Sequence, residues 1–535
     1  MNSEKNKLIR IEEVALGLDD NEEILKAMIS QILNLPESDI IDYSIVKKNI
    51  DSRQKRNILL IYSLDVKVKD IKAIKKFDSR HRVRIHEPFV YQAKKITQKI
   101  NKKIVVVGSG PCGLFAALLL AKAGLKPLLI ERGKDIDSRV KDVNKFFQTG
   151  DLNPQSNIQF GEGGAGTFSD GKLYTLINDP RSKYIFTELI RAGAPEEIAW
   201  SGTPHIGTDK LRRVIKNIRQ EIIRLGGKIK FEACLTDLEI EQGKIKAIIV
   251  NNKTKIPVDD LILATGHSAR DTYQMLYDRK LKIQAKAFAI GLRIEHQAEM
   301  INKAQYGAGY NHPKLGPAKY KLVQHLDKQR SVYTFCMCPG GYVMAAASEA
   351  GGVVVNGMSE YAQNGENSNS ALLVPIMPSD FSSNHPLAGI EFQRKWERKA
   401  YLAGGSDYSA PAQLVGDFLQ ARVSQKIKNV KPSYWPRIKL TSLDSCLPDY
   451  VIASLRAALP LMNNKIKGFV HPEAVLTGVE TRSSAPVRLA RDKKCESNIS
   501  GIYPAGEGAG YAGGIVSSAI DGLTVAEALI AKYLK

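Results

Sequence analysis

Long hydrophobic runs are missing from this 535-residue chain. The longest, Leu114 to Ala121, is far short of the ~20 residues that a membrane-spanning helix needs. Cysteine is scarce: six residues, at 112, 234, 336, 338, 446 and 495. No C-x-x-C pair occurs, so a zinc ribbon or a disulfide scaffold is excluded. That usage reads as a reducing compartment. The first residues, Met-Asn-Ser-Glu-Lys-Asn-Lys, lack the apolar core of an export signal. A soluble, cytoplasmic protein is the expectation. Repeats and low-complexity tracts are also missing, which excludes solenoids and wholesale disorder. What remains, 43% hydrophobic and 25% charged residues, is an ordinary globular balance. At roughly 150 residues per domain, the length predicts three to four domains.

Acidic residues are in deficit. There are 77 Lys+Arg against 56 Asp+Glu, a net charge of +21. The excess is uneven. Residues 1–50 hold 6 basic and 10 acidic side chains, whereas 51–103 hold 16 and 5. Such a balance fits a nucleic-acid surface, an acidic membrane surface or a Lys-rich proteome. The segment Arg80 to His86 alternates, so Arg80, Arg82, Arg84 and His86 share one face of a strand.

Residues 1–93 read as a small α+β accessory domain. Strands are expected at Leu8–Val14, Ile41–Ile50 and Ile58–Val66. A helix capped by Asn21 is expected over Glu22–Leu33, because Ile24, Leu25, Met28 and Ile32 keep helical spacing. A polar link, Lys94 to Lys103, then leads into different text. Ile104–Val107 is an apolar strand, Gly108-Ser-Gly110-Pro111-Cys-Gly113 a turn, and Leu114 to Ala123 a helix. A second strand, Pro127–Ile130, ends in Glu131-Arg132.

Each part of that βαβ start has a task. Gly108 allows the tight turn. Gly110 lets the backbone approach a pyrophosphate at a positive helix end. Gly113 lets helix and strand pack closely, and Glu131 can accept from ribose hydroxyls. Two further G-x-G-x-x-G matches lack the full context. Gly161, Gly163 and Gly166 follow no strand and open no helix, but read as backbone laid against a ligand. Gly508, Gly510 and Gly513 follow a strand at Ile502–Ala505 and open a helix, with no room for a second acid-bearing strand. The last match reads as the far wall of the first site. The amides of Gly513, Gly514 and Ile515 could stabilise negative charge there.

These segments resemble the FAD-binding fingerprint of glutathione-reductase-type flavoproteins. Leu261 to Gly266 resembles their "ATG" strand end, and Gly501 to Glu507 their C-terminal motif, where Glu507 stands in place of the usual Asp. Phe231 to Leu235 resembles the strand that touches adenine. Over nearly its whole length the chain resembles bacterial FAD-dependent dehydrogenases of the NAD(FAD)-utilising type. The text of Phe160 to Leu173, Thr334 to Gly341 and Gly478 to Arg482 carries that likeness.

The resemblance implies an α/β protein. Its Rossmann-like FAD domain is split in sequence (100–285 and 465–535), with an inserted strand-rich α+β substrate domain at 286–464. It implies FAD as cofactor, held by Gly108, Gly110, Pro111, Gly113, Glu131, Arg132, Arg139, Gly163, Gly164, Thr167, Leu235, Ala264, Thr265, Gly266, Gly506, Glu507, Gly513, Gly514 and Ile515. It implies an oxidoreductase whose flavin is reduced by a substrate or by transiently bound NAD(P)H, since no second nucleotide domain exists.

No metal site is read. For catalysis the candidates are Glu480 and Arg482 before the C-terminal FAD segment, and Arg293, Glu295 and His296 after the strand Ala287–Leu292. An Arg could anchor an anion, and His or Glu could move a proton. His267 is expected to pack near the nucleotide. Cys336 and Cys338 are expected to be buried strand residues. In a regular strand their Cα atoms would stand near 6.5–7 Å, the strained limit for a disulfide. The rival reading is a nucleic-acid- or protein-binding factor in which FAD is structural or sensory.

Overall fold

A computed structural model describes residues 7–74, 80–98, 100–175 and 177–534. The segment Met1–Asn6, on which the export-signal reading rests, lies outside them. The N-terminal module comprises β1 (Leu8–Gly17), α1 (Leu25–Leu33), β2 (Ile40–Asp51), β3 (Leu59–Val68) and β4 (Arg82–His86). The strands pair antiparallel in the order β2-β3-β1-β4. The Asn21 side chain accepts from the Glu23 amide and starts the helical segment. Leu25, Ile29, Ile32 and Leu33 of α1 are buried with Ile9, Ile11, Tyr62 and Leu64 in one core.

The basic row on β4 faces carboxylates of its own sheet. Arg84 lies 3.0 Å from Glu12, Arg82 3.8 Å from Glu13, and His86 2.8 Å from Asp65. Arg80 precedes the strand. The link after the module is not a free spacer, because its apolar residues are anchored. Tyr91 donates to Glu527 at 2.7 Å and lies against the Tyr184 ring, 4.4 Å between centroids, and the Ile96 amide donates to the Ala123 carbonyl at 2.9 Å. The module itself docks through backbone: the Lys48 amide donates to Trp200 O at 2.8 Å, and Gly202 N donates to Lys48 O at 2.9 Å.

The central chain runs β5 (Ile104–Val107), α2 (Pro111–Lys122), β6 (Leu128–Ile130), α3 (Ile136–Thr149), α4 (Arg181–Arg191), α5 (Thr208–Arg224) and β7 (Lys228–Lys230). It continues through β8 (Leu235–Glu241), β9 (Lys244–Val250), β10 (Thr254–Pro257), β11 (Asp260–Leu263), α6 (Arg270–Asp278) and β12 (Ile283–Ala285). The insertion then runs β13 (Phe288–Gln297), α7 (Ala298–Tyr306), β14 (Val323–Gln324), β15 (Val332–Cys338), β16 (Tyr342–Ala345), β17 (Val355–Met358) and β18 (Asn367–Ile376). It ends with α8 (Ala388–Gly404), β19 (Ala410–Leu414), α9 (Val415–Leu419), β20 (Ile438–Leu440), α10 (Asp449–Asn463) and β21 (Val475–Glu480). The chain returns as β22 (Val487–Leu489), β23 (Ile502–Pro504) and α11 (Ile515–Tyr533).

Strands β23-β11-β5-β6-β7 form an all-parallel sheet. Burial on both faces explains why Ile104–Val107 is apolar at every position. Helices α2 and α11 pack together on one face. The turn between β5 and α2 is so tight that a Cβ at Gly113 would stand 1.8 Å from the Gly108 carbonyl oxygen. Any side chain there would force helix and strand apart.

The insertion forms a seven-stranded sheet, β14-β15-β18-β13-β21-β19-β20. Two expectations need correction. β21 pairs with β13 and β19, so the insertion extends past 464 to at least Glu480. The stretch 386–430 combines helices α8 and α9 with strand β19, which is buried at every position and pairs with β20 and β21. Phe231–Cys234 is irregular backbone between β7 and β8, held by its amides: Glu232 N donates to Gly133 O and Ala233 N to Glu131 O.

Candidate functional site

One large cavity, about 1560 Å3 with its open mouth, lies at the C-terminal ends of the parallel strands and against the seven-stranded sheet. Val107, Ala264 and Ala505 mark where β5, β11 and β23 open into it. That is where open α/β sheets bind ligands.

At one end stand Glu131, Arg132, Phe160, Ala233, Leu235 and Thr272. Glu131 is buried, and its two oxygens accept from Ser109 N (2.9 Å), Ser109 Oγ (2.9 Å), Gly133 N (2.9 Å) and Gly161 N (3.0 Å). The acid therefore organises both glycine loops. Arg132 reaches Asp271 at 2.9 Å and lies over the Phe160 ring, 4.4 Å from its centroid.

In the middle, Gly108, Gly110 and Pro111 line the cavity together with Gly164, Ala165 and Gly166, the two loops packed so closely that a Cβ on Gly164 would stand 2.9 Å from the Gly110 Cα, with Thr265, Gly266 and His267 beside them. Helix α2 begins at Gly110 with no side-chain cap, so its first-turn amides are free for an anion. Nothing lies within 4 Å of a Cβ built on Gly266 or Gly513, which leaves an open trough between them. Burial, with Arg482 and Arg270 nearby, holds His267 neutral, at about 3.

At the far end are Glu507, Gly513, Gly514 and Ile515 from the return segment, facing Lys172, Cys336, Cys338, Asn356 and Glu480. Burial raises the Glu507 carboxyl to about 7, against smaller contributions from Lys286 and the Gly514 amide. Free helix-start amides, an open glycine trough and a buried acid facing polar space together fit an anionic dinucleotide with a polyol chain.

Several candidates from the sequence are not on this wall. Arg139 is fully buried and donates to four loop carbonyls: Asn157 (2.8 Å), Ile158 (2.9 Å), Glu162 (2.7 Å) and Gly164 (2.9 Å). It clamps the loop from behind. Gly163 and Thr167 also face the protein, and the Thr167 hydroxyl donates to Glu162 O. Gly113 and Gly506 serve close packing: a Cβ on Gly506 would meet Cys112 at 2.8 Å.

Glu295 is buried away from the cavity, held by Ser433 Oγ at 2.5 Å and Asn367 Nδ2 at 3.1 Å. His296 is likewise buried, its Nε2 2.8 Å from Phe469 O. Both were expected in the site because they follow Arg293, but they sit further along β13, beyond the cavity's end.

Glu480 and Arg482 do line the cavity. Arg482 is saturated by Glu397, Ser268 and Ser348. Arg293 stands directly behind the wall. Its guanidinium meets Glu480 Oε2 at 2.6 Å, Asn369 Oδ1 at 2.8 Å and Cys336 O at 2.5 Å.

Two features escaped the sequence reading. Lys172 lies on the cavity wall, and its ammonium has Asp170 and Cys338 Sγ each at 3.5 Å. Burial is the largest single effect and opposes its charge, but Asp170, Cys338, Cys336 and Tyr174 together outweigh it and raise its pKa. Asp170 itself is pinned by Ser359 and Gln363. The signal was the Ser-Asp-Gly-Lys ending of the second glycine motif, 169–172. The other feature is β15, which does not run regularly through the cysteines. Phe335 pairs with Ala371 and Cys338 with Asn369, so one extra residue bulges out. Cys336 has φ +43°, and all six cysteines are free thiols.

Residues 102–307 match the pyridine nucleotide-disulphide oxidoreductase family, and 287–483 match the family described as "FAD-dependent protein, C-terminal domain-like". Residues 8–67 match a domain of unknown function. These matches define the class: an FAD-dependent oxidoreductase family, with FAD as cofactor. The chain belongs to the same family as a Clostridium beijerinckii protein described as "Uncharacterized protein". The two are 49% identical over 98% of this chain and 99% of that one.

A 52-residue stretch, 10% of this chain, is 42% identical to a heterodisulfide reductase-like protein of Archaeoglobus profundus, covering 7% of it. Among solved structures, the glycerol-3-phosphate dehydrogenase of Bacillus halodurans complexed with FAD aligns over 81% of this chain and 65% of that one, at 9% identity and TM-score 0.35. The flavin-dependent brominase Bmp2, as a triple mutant, aligns over 81% of each chain at 11% identity and TM-score 0.37. Among the described residues, no helix is long and apolar enough to cross a membrane, and no His/Cys/Asp/Glu group could hold a metal ion.

Proposed function

We propose that this chain passes two electrons between FAD and a small molecule held against the seven-stranded sheet. One observation carries the reading: a single cavity runs from the Glu131 end, past the free amides of α2, to the polar wall formed by Lys172, Cys338, Asn356 and Glu480. FAD supplies the redox chemistry, and the protein supplies binding, orientation and electrostatics.

In this reading Glu131 receives the adenosine ribose, and the amides after Gly110 receive the pyrophosphate. Glu507 meets the ribityl hydroxyls, and the Ile515 amide at the start of α11 faces the ring, while Gly513 N is held by Ser517 Oγ at 3.2 Å. Glu480 and Lys172 face the substrate side. Glu480 is held by Arg293, yet burial outweighs that pairing and raises its carboxyl, which suits a proton donor. The electron donor is the substrate itself or NAD(P)H bound transiently over the ring. The β4 row, paired within its own sheet, gives no support to a nucleic-acid-binding role.

The test is direct. Purified protein, reconstituted with FAD if necessary, should show an oxidised-flavin spectrum that bleaches anaerobically with NADH, with NADPH or with a reducing substrate from a small-molecule panel. Protein that takes up no flavin would refute the reading. So would bound flavin that none of them reduces.

A further inference from the structure

The cavity's substrate wall holds two thiols that the proposed reaction does not use. The geometry points to Cys336 and Cys338 as a redox-active dithiol/disulfide pair that exchanges electrons with the flavin; this rests on the FAD reading above. Spacing argued against such a pair only on the premise of a regular strand. The bulge removes that premise.

In a regular strand, successive side chains face opposite sides. Here Phe335, Cys336 and Cys338 all line the cavity, and Met337 alone turns into the core. The Cys338 sulfur is folded back toward its partner residue, 3.3 Å from the Cys336 carbonyl oxygen. A bulge of this kind commonly re-aims a side chain at an active site.

Two cations attend the same sulfur. Lys172 Nζ is 3.5 Å and Arg293 Nη2 3.7 Å from Cys338 Sγ. Lys172 makes no closer contact with Asp170, so its donors are available to a sulfur that gains negative charge. At rest both groups are thiols, since burial raises Cys336 to about 12 and also raises Cys338, against the pull of Lys172 and Arg293. A thiolate formed during turnover is the species those cations favour. The other cysteines lack this setting. Cys112 reaches the cavity but stands alone beneath the turn, and Cys446 is buried in the core of the inserted domain.

The step balances as written. Two S–H bonds break and one S–S bond forms. Two electrons and one proton pass to oxidised flavin, and the second proton goes to solvent. Run backwards, reduced flavin opens the disulfide and the dithiol delivers its electrons to a cavity-bound oxidant.

Two measurements test the pair. First, treat the protein with diamide, block remaining thiols with iodoacetamide, and map the peptides by mass spectrometry. A Cys336–Cys338 disulfide is expected; both residues alkylated after diamide would overturn the proposal. This readout needs no flavin, so it stands apart from the cofactor reading. Second, titrate the oxidised FAD-loaded protein anaerobically with dithionite. Uptake of about four electrons per flavin is expected, two for each two-electron couple. Cys338→Ser should take up about two, while Cys446→Ser should match the wild type. About two electrons in the wild type would also overturn it.

Discussion

Arg139 offers the sharpest test of how the site is built. From sequence it was a cofactor residue; in the structure it is a clamp behind the glycine loop. Its guanidinium satisfies four carbonyls, of which Glu162 O and Gly164 O also accept from Thr167. Asn157 O and Ile158 O have Arg139 as their donor.

Lysine keeps the charge but lacks the planar fork, so it cannot span all four. Leaving two buried carbonyls unsatisfied costs about 1–3 kcal/mol each, and lysine recovers part of that. Arg139→Lys should therefore lose about 2–4 kcal/mol. Arg139→Met should lose more, because it also strips the charge that faces Glu131 and Glu162. At roughly 2–4 °C per kcal/mol for a domain of this size, the lysine variant should melt about 5–15 °C lower.

The measurement is thermal melting of the flavin-free protein beside FAD titration. Both should fall, since Gly164 to Gly166 form part of the cavity wall. If flavin-free stability stays within about 0.5 kcal/mol while FAD affinity drops tenfold, Arg139 touches the cofactor and the clamp is refuted.

Three further outcomes are expected. Glu131→Ala should weaken FAD binding by about ten- to hundredfold, the effect of losing a charge-assisted hydrogen bond of ~1.5–3 kcal/mol; unchanged affinity by equilibrium titration would contradict the ribose assignment. The Glu507 carboxyl, raised from 4.5 to about 7 by burial, holds a proton in the folded flavin-free chain that the unfolded chain releases. Stability should therefore fall as pH rises through that window, and Glu507→Gln should flatten that part of the profile in urea melts. A chain beginning near residue 88 should retain FAD and melt higher than one beginning near 96, because only the longer one keeps Tyr91 against Tyr184 and Glu527; equal melting temperatures would show that contact to be idle.

The βαβ start was legible because every part is local. Strand, turn, helix and acid lie within Ile104–Glu131, and each residue type answers a backbone requirement. The return of the chain to the first sheet was also suggested, by a third glycine motif with no room for its own acid; β23 pairs with β11 in the parallel sheet. Long-range facts were not. Nothing near Val475 tells that β21 joins the inserted sheet, since the partners Leu292 and Ala412 are more than sixty residues away. Glu295 was grouped with Arg293 because both follow the apolar run Ala287–Leu292; the strand in fact continues through them to Gln297, and how far a cavity runs along a strand is not written in its sequence. Lys172 and Cys338 meet only through the fold, across 166 residues. The bulge at Cys336 has no glycine or proline to announce it.

The two ends of the inserted domain lie side by side. Lys286 N donates to Pro486 O at 2.9 Å, and the Ser483 hydroxyl bridges to both backbone groups of Ala289. Next to them, β12 and β22 are already zipped as an antiparallel ribbon. The part built on the parallel sheet could therefore be closed by a hairpin of about 2–5 residues with the whole part built on the seven-stranded sheet excised. A core with such adjoining attachment points can exchange one inserted module for another during evolution, provided that the newcomer's first and last strands are neighbours. The insertion and the parallel-sheet part would then change under separate selection.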